Sequence, residues 1–387
     1  MSKAKAEREH AAEILSEVEG SRGAAYIGVM GQLLPIASYV AWESILKQST
    51  ALLGTRIMKR ASLNILRMAF ALTIAMPAWS QGCETQDEMP AQARTSMQAA
   101  AQKAFDLASR GDVAGLRAGA IPTLQANFNG IAGAVNDNKA AFSGAHPQVR
   151  ATFRLDTGPT ASVDGRFYCG VFGAGGQTSN SAEFDIPGLP RGEYAIVIQD
   201  FIGSKGPYSL TTIFQDMGGW RLAGFYIRVE SAAGHDGIWY LERARGYKAK
   251  GQNHNAWFYY VTSWDLLAPV TFMETALLSK ITQESGSIQP RDIPVGSPVT
   301  YVANGKNYSL TDMSVSRMET GLDLSIKYSV ASTADFNSTQ TDARNLASAF
   351  ATQYPELKEI FNNVWTHAVD GNGGEVVGLV SLKPPGK

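Results

Sequence analysis

Six short runs rich in β-branched and aromatic residues lie between residues 152 and 229, and they restrict the fold more than any other feature. Glycine, proline and asparagine separate the runs, a pattern typical of an antiparallel sheet or sandwich. The runs are 152–156, 166–172, 182–186, 194–200, 208–215 and 220–229. Asp216-Met-Gly-Gly219 predicts a hairpin turn between the last two, because glycine adopts positive φ without a steric penalty.

A segment rich in alanine precedes the sheet. Residues 93–107 carry an apolar stripe at helical spacing, and Gly111 ends the pattern. Asp112 is placed to cap a second, short helix. Residues 93–230 are therefore predicted to form one domain, in which a small helical layer covers an antiparallel sheet.

Two local resemblances bear on this domain. Residues 184–200, FDIPGLPRGEYAIVIQD, resemble the F-x-I-P-G-L-P-x-G-x-Y segment of prealbumin-like, carboxypeptidase-regulatory-like β-sandwich domains. That resemblance implies a strand–turn–strand unit in a non-catalytic module. The helices of 93–229, followed by a hairpin that ends in GWRLAGF (219–225), resemble the cone-shaped NTF2-like folds. The sequence does not decide between a β-sandwich and an NTF2-like cone for this domain.

Residues 237–269 resemble a single tetratricopeptide repeat (TPR). The large and small positions of that family are met at Tyr240, Ala244, Tyr247, Gly251, Ala256 and Tyr260. Arg243, Ser263 and Pro269 depart from the family pattern. The resemblance implies a helical hairpin, within a unit that spans 231–284 and includes a third helix over 272–284. Because no second copy follows and repeat arrays need about three units, we expect the hairpin to dock on the sheet domain before it.

A linker and a second domain complete the predicted architecture. Small polar residues and prolines over 285–297 are typical of a linker. Residues 298–383 are predicted to form a small domain of β-β-β-α-β order, with its helix over 342–367 and its last strand over 374–382. The predicted fold class is α+β.

A secretion signal is predicted at residues 58–80. Lys59, Arg60 and Arg67 precede a mostly apolar, uncharged run at 68–78, and Ala78-Trp-Ser80 fits a cleavage site. Met58 would then be the true start of the protein, and residues 1–57 would result from a start codon assigned too far upstream. Residues 81–92 would form a polar linker. A membrane segment at 23–42 is the alternative. The expected location is the periplasm or the outside of a bacterial cell, or else an envelope membrane to which the N-terminal segment attaches the chain.

The two cysteines, Cys83 and Cys169, both follow the predicted cleavage site. In an oxidising compartment they could pair as a disulfide. Lipidation of Cys83 is the alternative: Gly82 fits a lipoprotein signal, whereas Ser80 stands where an aliphatic residue is usual. Two cysteines alone do not make a thiolate zinc site, and no metal is predicted.

Charge and motifs narrow the expected ligands. Residues 1–80 hold nine of the 34 basic and six of the 35 acidic residues, which leaves 25 and 29 in the remainder. This mild acidity gives no reason to expect a nucleic-acid partner. The glycine-rich stretch 169–176 lacks the spacing of a phosphate-binding loop, and the chain has no G-x-S-x-G motif. No cofactor is therefore predicted.

The polar candidates for chemistry are His235, Asp236 and His254, which flank the first hairpin helix. These residues could provide an acid–base pair or the ligands of a metal ion, as in a hydrolase. However, Asp236 also suits a helix N-cap, and His254 lies in a loop-like Gln-Asn-His-Asn stretch. A hydrolase around these three residues is the alternative function.

The high density of aromatic residues in the hairpin is the basis for the main functional prediction. Aromatic side chains of this kind either fill a core or hold a partner on a surface. Because consecutive helical residues point in different directions, we expect Trp257 and Tyr259 to face outward. The predicted binding residues are Trp239, Trp257, Tyr259 and His254. The chain is thus predicted to be a non-enzymatic envelope protein that binds or scaffolds a protein or peptide partner.

Overall fold

The chain has the predicted α+β fold. The structure, a computed structural model, describes residues 82–158, 165–173, 176–318 and 320–383. The predicted signal peptide at 58–80 and the extension at 1–57 lie outside the described residues. Within these four ranges, no helix is long and apolar enough to cross a membrane.

The elements alternate between helical and β-rich stretches along the chain. The helices are α1 (Ala91–Ser109), α2 (Val113–Ala118), α3 (Pro122–Ala126), α4 (Asn129–Asp137), α5 (Lys139–Phe142), α6 (Gly237–Ala249), α7 (Asn253–Leu267), α8 (Ala276–Gly286) and α9 (Phe336–Gln353). The first strands are β1 (Gly82–Thr85), β2 (Gln148–Asp156), β3 (Arg166–Gly173), β4 (Gly176–Asp185), β5 (Glu193–Gly203), β6 (Gly206–Asp216), β7 (Trp220–Val229), β8 (Ser231–Ala232) and β9 (His235–Asp236). The later strands are β10 (Met273–Thr275), β11 (Val299–Ala303), β12 (Lys306–Met318), β13 (Gly321–Ser329), β14 (Asn363–Val369) and β15 (Glu375–Ser381).

An antiparallel sheet of order β1-β2-β5-β6-β7 forms the centre of the N-terminal half. Helix α1 lies across one face of this sheet, where the ring of Phe105 packs edge-on against Phe142 at 5.4 Å and Phe201 at 5.1 Å. Asp112 caps α2 by accepting a hydrogen bond from the Gly115 N–H. The helical layer therefore seals this face of the sheet with aromatic and alanine side chains.

A second, three-stranded sheet of order β10-β4-β3 covers the opposite face. Phe184 of β4 contacts Phe153 of β2 at 5.0 Å between ring centroids. Cys83 and Cys169 form a disulfide, with their Cα atoms 4.8 Å apart, that joins the edge strands β1 and β3 of the two sheets. The predicted linker at 81–92 is thus partly wrong, because β1 pairs with β2 instead of running free.

The C-terminal half contains a five-stranded sheet of order β11-β12-β13-β14-β15. The pair β13–β14 is parallel, and α9 makes the crossover between these two strands. The other neighbouring pairs are antiparallel. Strand β14 is buried along most of its length.

The helix predicted at 342–367 is wrong in its second half. Helix α9 ends at Gln353, a 3₁₀ turn spans Pro355–Glu359, and Asn363–Val369 is strand β14. Pro355 cannot continue the helical hydrogen-bond ladder. The apolar residues at 357, 360, 361 and 364 imitate a helical stripe, although a 3₁₀ turn and a strand bury them. The observed order of this unit is therefore β-β-β-α-β-β.

The helical hairpin α6–α7 joins the core of the C-terminal sheet, which corrects its predicted docking on the N-terminal sheet domain. Phe258 of α7 is fully buried and packs edge-on against Phe361 at 5.3 Å. The predicted linker 285–297 belongs to the same core, since Ile293 is buried there. An ionic link connects the halves: Asp265 of α7 accepts hydrogen bonds from Arg228 of β7 at 3.0 Å and from Arg317 of β12 at 2.6 Å.

Candidate functional site

The two hairpin helices pack closely because small residues lie where they meet. The Ser263 hydroxyl donates a hydrogen bond to the Gly237 carbonyl at 2.7 Å. A Cβ atom on Gly237 would lie 2.5 Å from the Leu267 Cγ, so glycine is needed at this point of close approach. Asp236 caps α6 by accepting from the Trp239 N–H at 2.8 Å. These contacts fix the start of α6 and therefore the direction of Trp239.

One face of α6 carries alternating aromatic and cationic groups. The His235 ring stacks on Trp239 at 3.7 Å, with 4° between the ring planes. The Arg243 guanidinium lies 5.2 Å from the Trp239 ring centroid, and the Lys250 ammonium lies 5.3 Å from that of Tyr247. These spacings follow the helical repeat, which places residues three and four apart on one side. We call these five residues the basic aromatic face.

Tyr259 supports this face from beneath, which corrects its predicted outward position. Its side chain is 6% exposed and lies between Trp239, at 6.0 Å, and Tyr247, at 5.4 Å. Burial is the main cause that raises the pKa of its hydroxyl above the ordinary value. The Tyr259 side chain points toward α6, where aromatic residues of the two helices pack against one another. Tyr259 therefore supports the half-buried rings of Trp239 and Tyr247 from inside the hairpin.

Trp257 lies elsewhere on the hairpin. Successive helical residues turn by about 100°, so Trp257 is about 200° around α7 from Tyr259. Its ring is half-buried and packs edge-on against Phe258 at 5.3 Å. The structure thus does not gather Trp239, Trp257 and Tyr259 into one surface, and Trp239 alone of the three belongs to the basic aromatic face.

His254 is held in a polar contact between the hairpin and the C-terminal half. Its Nε2 lies 3.0 and 3.1 Å from the two carboxylate oxygens of Asp292, and its ring lies 4.0 Å from Tyr354. Burial raises the pKa of Asp292, but hydrogen bonds from His254 and Tyr354 outweigh burial and hold this pKa below its ordinary 3.8. The same carboxylate helps burial raise the pKa of Tyr301 to about 12. His254 therefore fastens the start of α7.

This contact predicts a stability that depends on pH. Because folding lowers the pKa of Asp292, the stabilisation is complete above 3.8 and is lost as the pH falls through the lower folded value. We expect Asp292→Asn to reduce the free energy of unfolding by about 1–3 kcal/mol near neutral pH. The reduction should shrink as the pH drops below 3.8, as measured by urea unfolding at several pH values.

A matched control is Asp335→Asn, since Asp335 caps α9 and asparagine caps equally well. This variant should unfold like the native chain at each pH. An equal loss of stability for Asp292→Asn at every pH would contradict the assigned role of the carboxylate.

The three residues of the predicted hydrolase alternative do not meet. His235 and Asp236 lie at the start of α6, whereas His254 lies at the start of the antiparallel α7. The 13 residues of α6 separate these ends by about 20 Å. Each residue also has a local role: ring stacking for His235, helix capping for Asp236 and the contact with Asp292 for His254. The geometry therefore provides no cleft that they share.

Sequence reasoning missed four residues of this region. In the sequence Arg243 stands out only as a departure from the repeat pattern, yet its guanidinium lies over the Trp239 ring. Tyr247 and Lys250 complete the face, and the spacing 239, 243, 247 and 250 was the signal that could have revealed all three. Asp292 lies 38 residues beyond His254 in a stretch predicted as linker, and no local pattern indicates that pairing.

Neither a metal cluster nor a comparison with known proteins identifies the site. Within the described part of the chain, no group of three or more His, Cys, Asp or Glu side chains could hold a metal ion. No known protein family, curated protein or solved structure matches the chain. The resemblances to TPR, prealbumin-like and NTF2-like folds therefore stay predictions, and function has to be argued from the geometry.

Proposed function

We propose that the chain is an exported, non-enzymatic protein of the bacterial cell envelope that binds an acidic peptide segment of a partner protein. The basic aromatic face of α6 carries this proposal. Its flat rings offer contact area at low entropic cost, and its cations supply attraction for carboxylates. The partner segment would lie along the helix with acidic side chains at the level of Arg243 and Lys250.

The charge balance of α6 supports an acidic partner. Between residues 237 and 250, α6 and its C-cap carry four basic residues and one acidic residue. Arg245 is paired with Glu284 at 2.7 Å, but neither Arg243 nor Lys250 forms an ion pair with any residue that the structure describes. Both cations instead lie on aromatic rings, where they remain exposed to solvent. A carboxylate could therefore reach them without breaking an existing salt bridge.

The export part of the proposal concerns the N-terminus. Protein recovered from its native envelope fraction should begin at Gln81 and lack the two thiol hydrogens of Cys83 and Cys169. A chain that begins near Met1, or that carries a lipid, would instead attach to a membrane through its N-terminal segment. Intact mass and N-terminal sequencing distinguish these outcomes.

Binding is tested with a fluorescein-labelled deca-glutamate peptide. We expect Arg243→Ala to weaken binding by about tenfold, because a cation that contacts a carboxylate contributes roughly 1–2 kcal/mol. Trp239→Ala should weaken it at least as much, and added salt should weaken the native complex. Fluorescence anisotropy measures each affinity.

Lys103→Ala is the matched control, since Lys103 is an exposed cation on α1. This variant should bind the peptide like the native chain. The proposal fails if the native chain does not bind deca-glutamate, or if Arg243→Ala and Lys103→Ala bind it equally well.

A further inference from the structure

An open cleft lies between the C-terminal sheet and the start of α9. Its volume is about 850 Å³, within the range of about 300–1,000 Å³ usual for small-molecule sites. Lys306 and Tyr308 of β12, Tyr328 of β13, and Asn337 and Thr341 of α9 contribute to its lining. None of these residues belongs to the basic aromatic face, so the cleft would be a second, separate site.

A buried hydroxyl in this lining has no partner. Tyr328 is 1% exposed, and its hydroxyl forms no hydrogen bond with any described residue. Its ring packs edge-on against Tyr308 at 5.5 Å, which fixes its orientation. Buried polar groups in folded proteins are nearly always hydrogen-bonded, and an exception calls for an explanation. The hydroxyl itself has almost no solvent-accessible surface, so a ligand hydroxyl becomes its partner only if binding displaces the side chains that cover it.

The charges of the cleft are already balanced. Asp342 accepts a hydrogen bond from the Tyr308 hydroxyl at 3.0 Å and one from the Lys306 ammonium. The other polar side chains of the lining are neutral: three asparagines, three serines and two threonines. Asp342 and the α9 cap Asp335 oppose an anion at this helix start. The lining therefore suits a neutral ligand rich in hydroxyl and amide groups.

We propose that this cleft binds a short neutral carbohydrate. The hydroxyl groups of a sugar both donate and accept, which matches the amides and hydroxyls of the lining. Asp342 would accept from a sugar hydroxyl while it keeps its bond to Tyr308. The open shape of the cleft allows a chain of sugar rings to pass along α9 instead of ending in a closed pocket.

The test is a calorimetric titration of the full chain with maltotriose, cellotriose and triacetylchitotriose, each up to about 10 mM. At least one trisaccharide should bind with a Kd below that limit. We expect Asp342→Asn and Thr341→Val to weaken the binding about tenfold, since the first replaces an acceptor oxygen with an NH2 donor and the second removes a hydroxyl from the lining.

Thr352→Val is the matched control for Thr341→Val. Both threonines are exposed on α9 and donate to the carbonyl four residues earlier, but only Thr341 lines the cleft. The control should bind the sugar like the native chain. Tyr328→Phe adds a readout that does not need ligand: it should raise Tm, because it removes the unpaired hydroxyl, while it weakens sugar binding.

Three outcomes would overturn the proposal. One is that none of the three trisaccharides binds at about 10 mM. Another is that Asp342→Asn, Thr341→Val and Tyr328→Phe all bind sugar like the native chain. The third is that inorganic phosphate binds and no sugar does, which would assign the cleft to an anion.

Discussion

Replacing both Cys83 and Cys169 with serine is expected to lower the free energy of unfolding of the N-terminal half by about 4–5 kcal/mol. The disulfide spans 86 residues, and the entropy lost by the unfolded chain grows with the length of the closed loop. The bond also joins β1 to β3, which are edge strands of two different sheets. Without it, side-chain packing is what connects these two edges among the residues that the structure describes.

The effect should be local as well as large. Hydrogen exchange should speed up in β1 and in the β3–β4 hairpin, and urea unfolding of the N-terminal half should shift to lower concentration. The C-terminal sheet has its own core and should keep its protection from exchange. Dithiothreitol treatment of the native chain is the control and should give the same shift. A loss below about 1 kcal/mol would contradict the stabilising role of the disulfide.

Strands β2 to β7 could be predicted because their signals are local, whereas β1 lies in the predicted linker and was missed. Alternating side chains and turn residues mark each strand in turn, and the Asp216 carboxylate does accept from the Gly218 and Gly219 N–H groups in the turn that the sequence indicates. The prediction of a helix over 342–367 is wrong in its second half for a physical reason. Apolar residues at helical spacing become buried whether they belong to a helix or to a turn followed by a central strand. Pro355 was the one local signal against the helix.

The candidate site was harder to predict than the strands. Trp239 could be singled out from the aromatic density, but exposure depends on which side of a helix faces the neighbouring helix. Tyr259 faces α6 and is buried, whereas Arg243 faces solvent and lies on Trp239. The pairing of His254 with Asp292 depends on how the chain returns to α7, and it leaves no trace in sequence spacing.

Docking of the hairpin is the tertiary feature that the sequence did not reveal, and Phe258→Ala tests it. Phe258 is fully buried against Phe361, so its removal should leave a cavity and cost about 3–5 kcal/mol. Because the hairpin and the C-terminal sheet share one core, hydrogen exchange should speed up in α6, α7, β13 and β14 together. Strands β5 to β7 belong to the other core and should keep their protection.

Trp257→Ala is the matched control for this prediction. Trp257 is the neighbouring aromatic residue on the same helix, but its ring is only half-buried, so its loss should cost less than about 2 kcal/mol. If Phe258→Ala exposed the N-terminal sheet to exchange and left β13 and β14 protected, the hairpin would dock as the sequence suggested. Loss of protection in β14 with Phe258→Ala alone would instead show that Phe258 secures the hairpin to the C-terminal sheet. The basic aromatic face would then be held by the C-terminal half of the molecule.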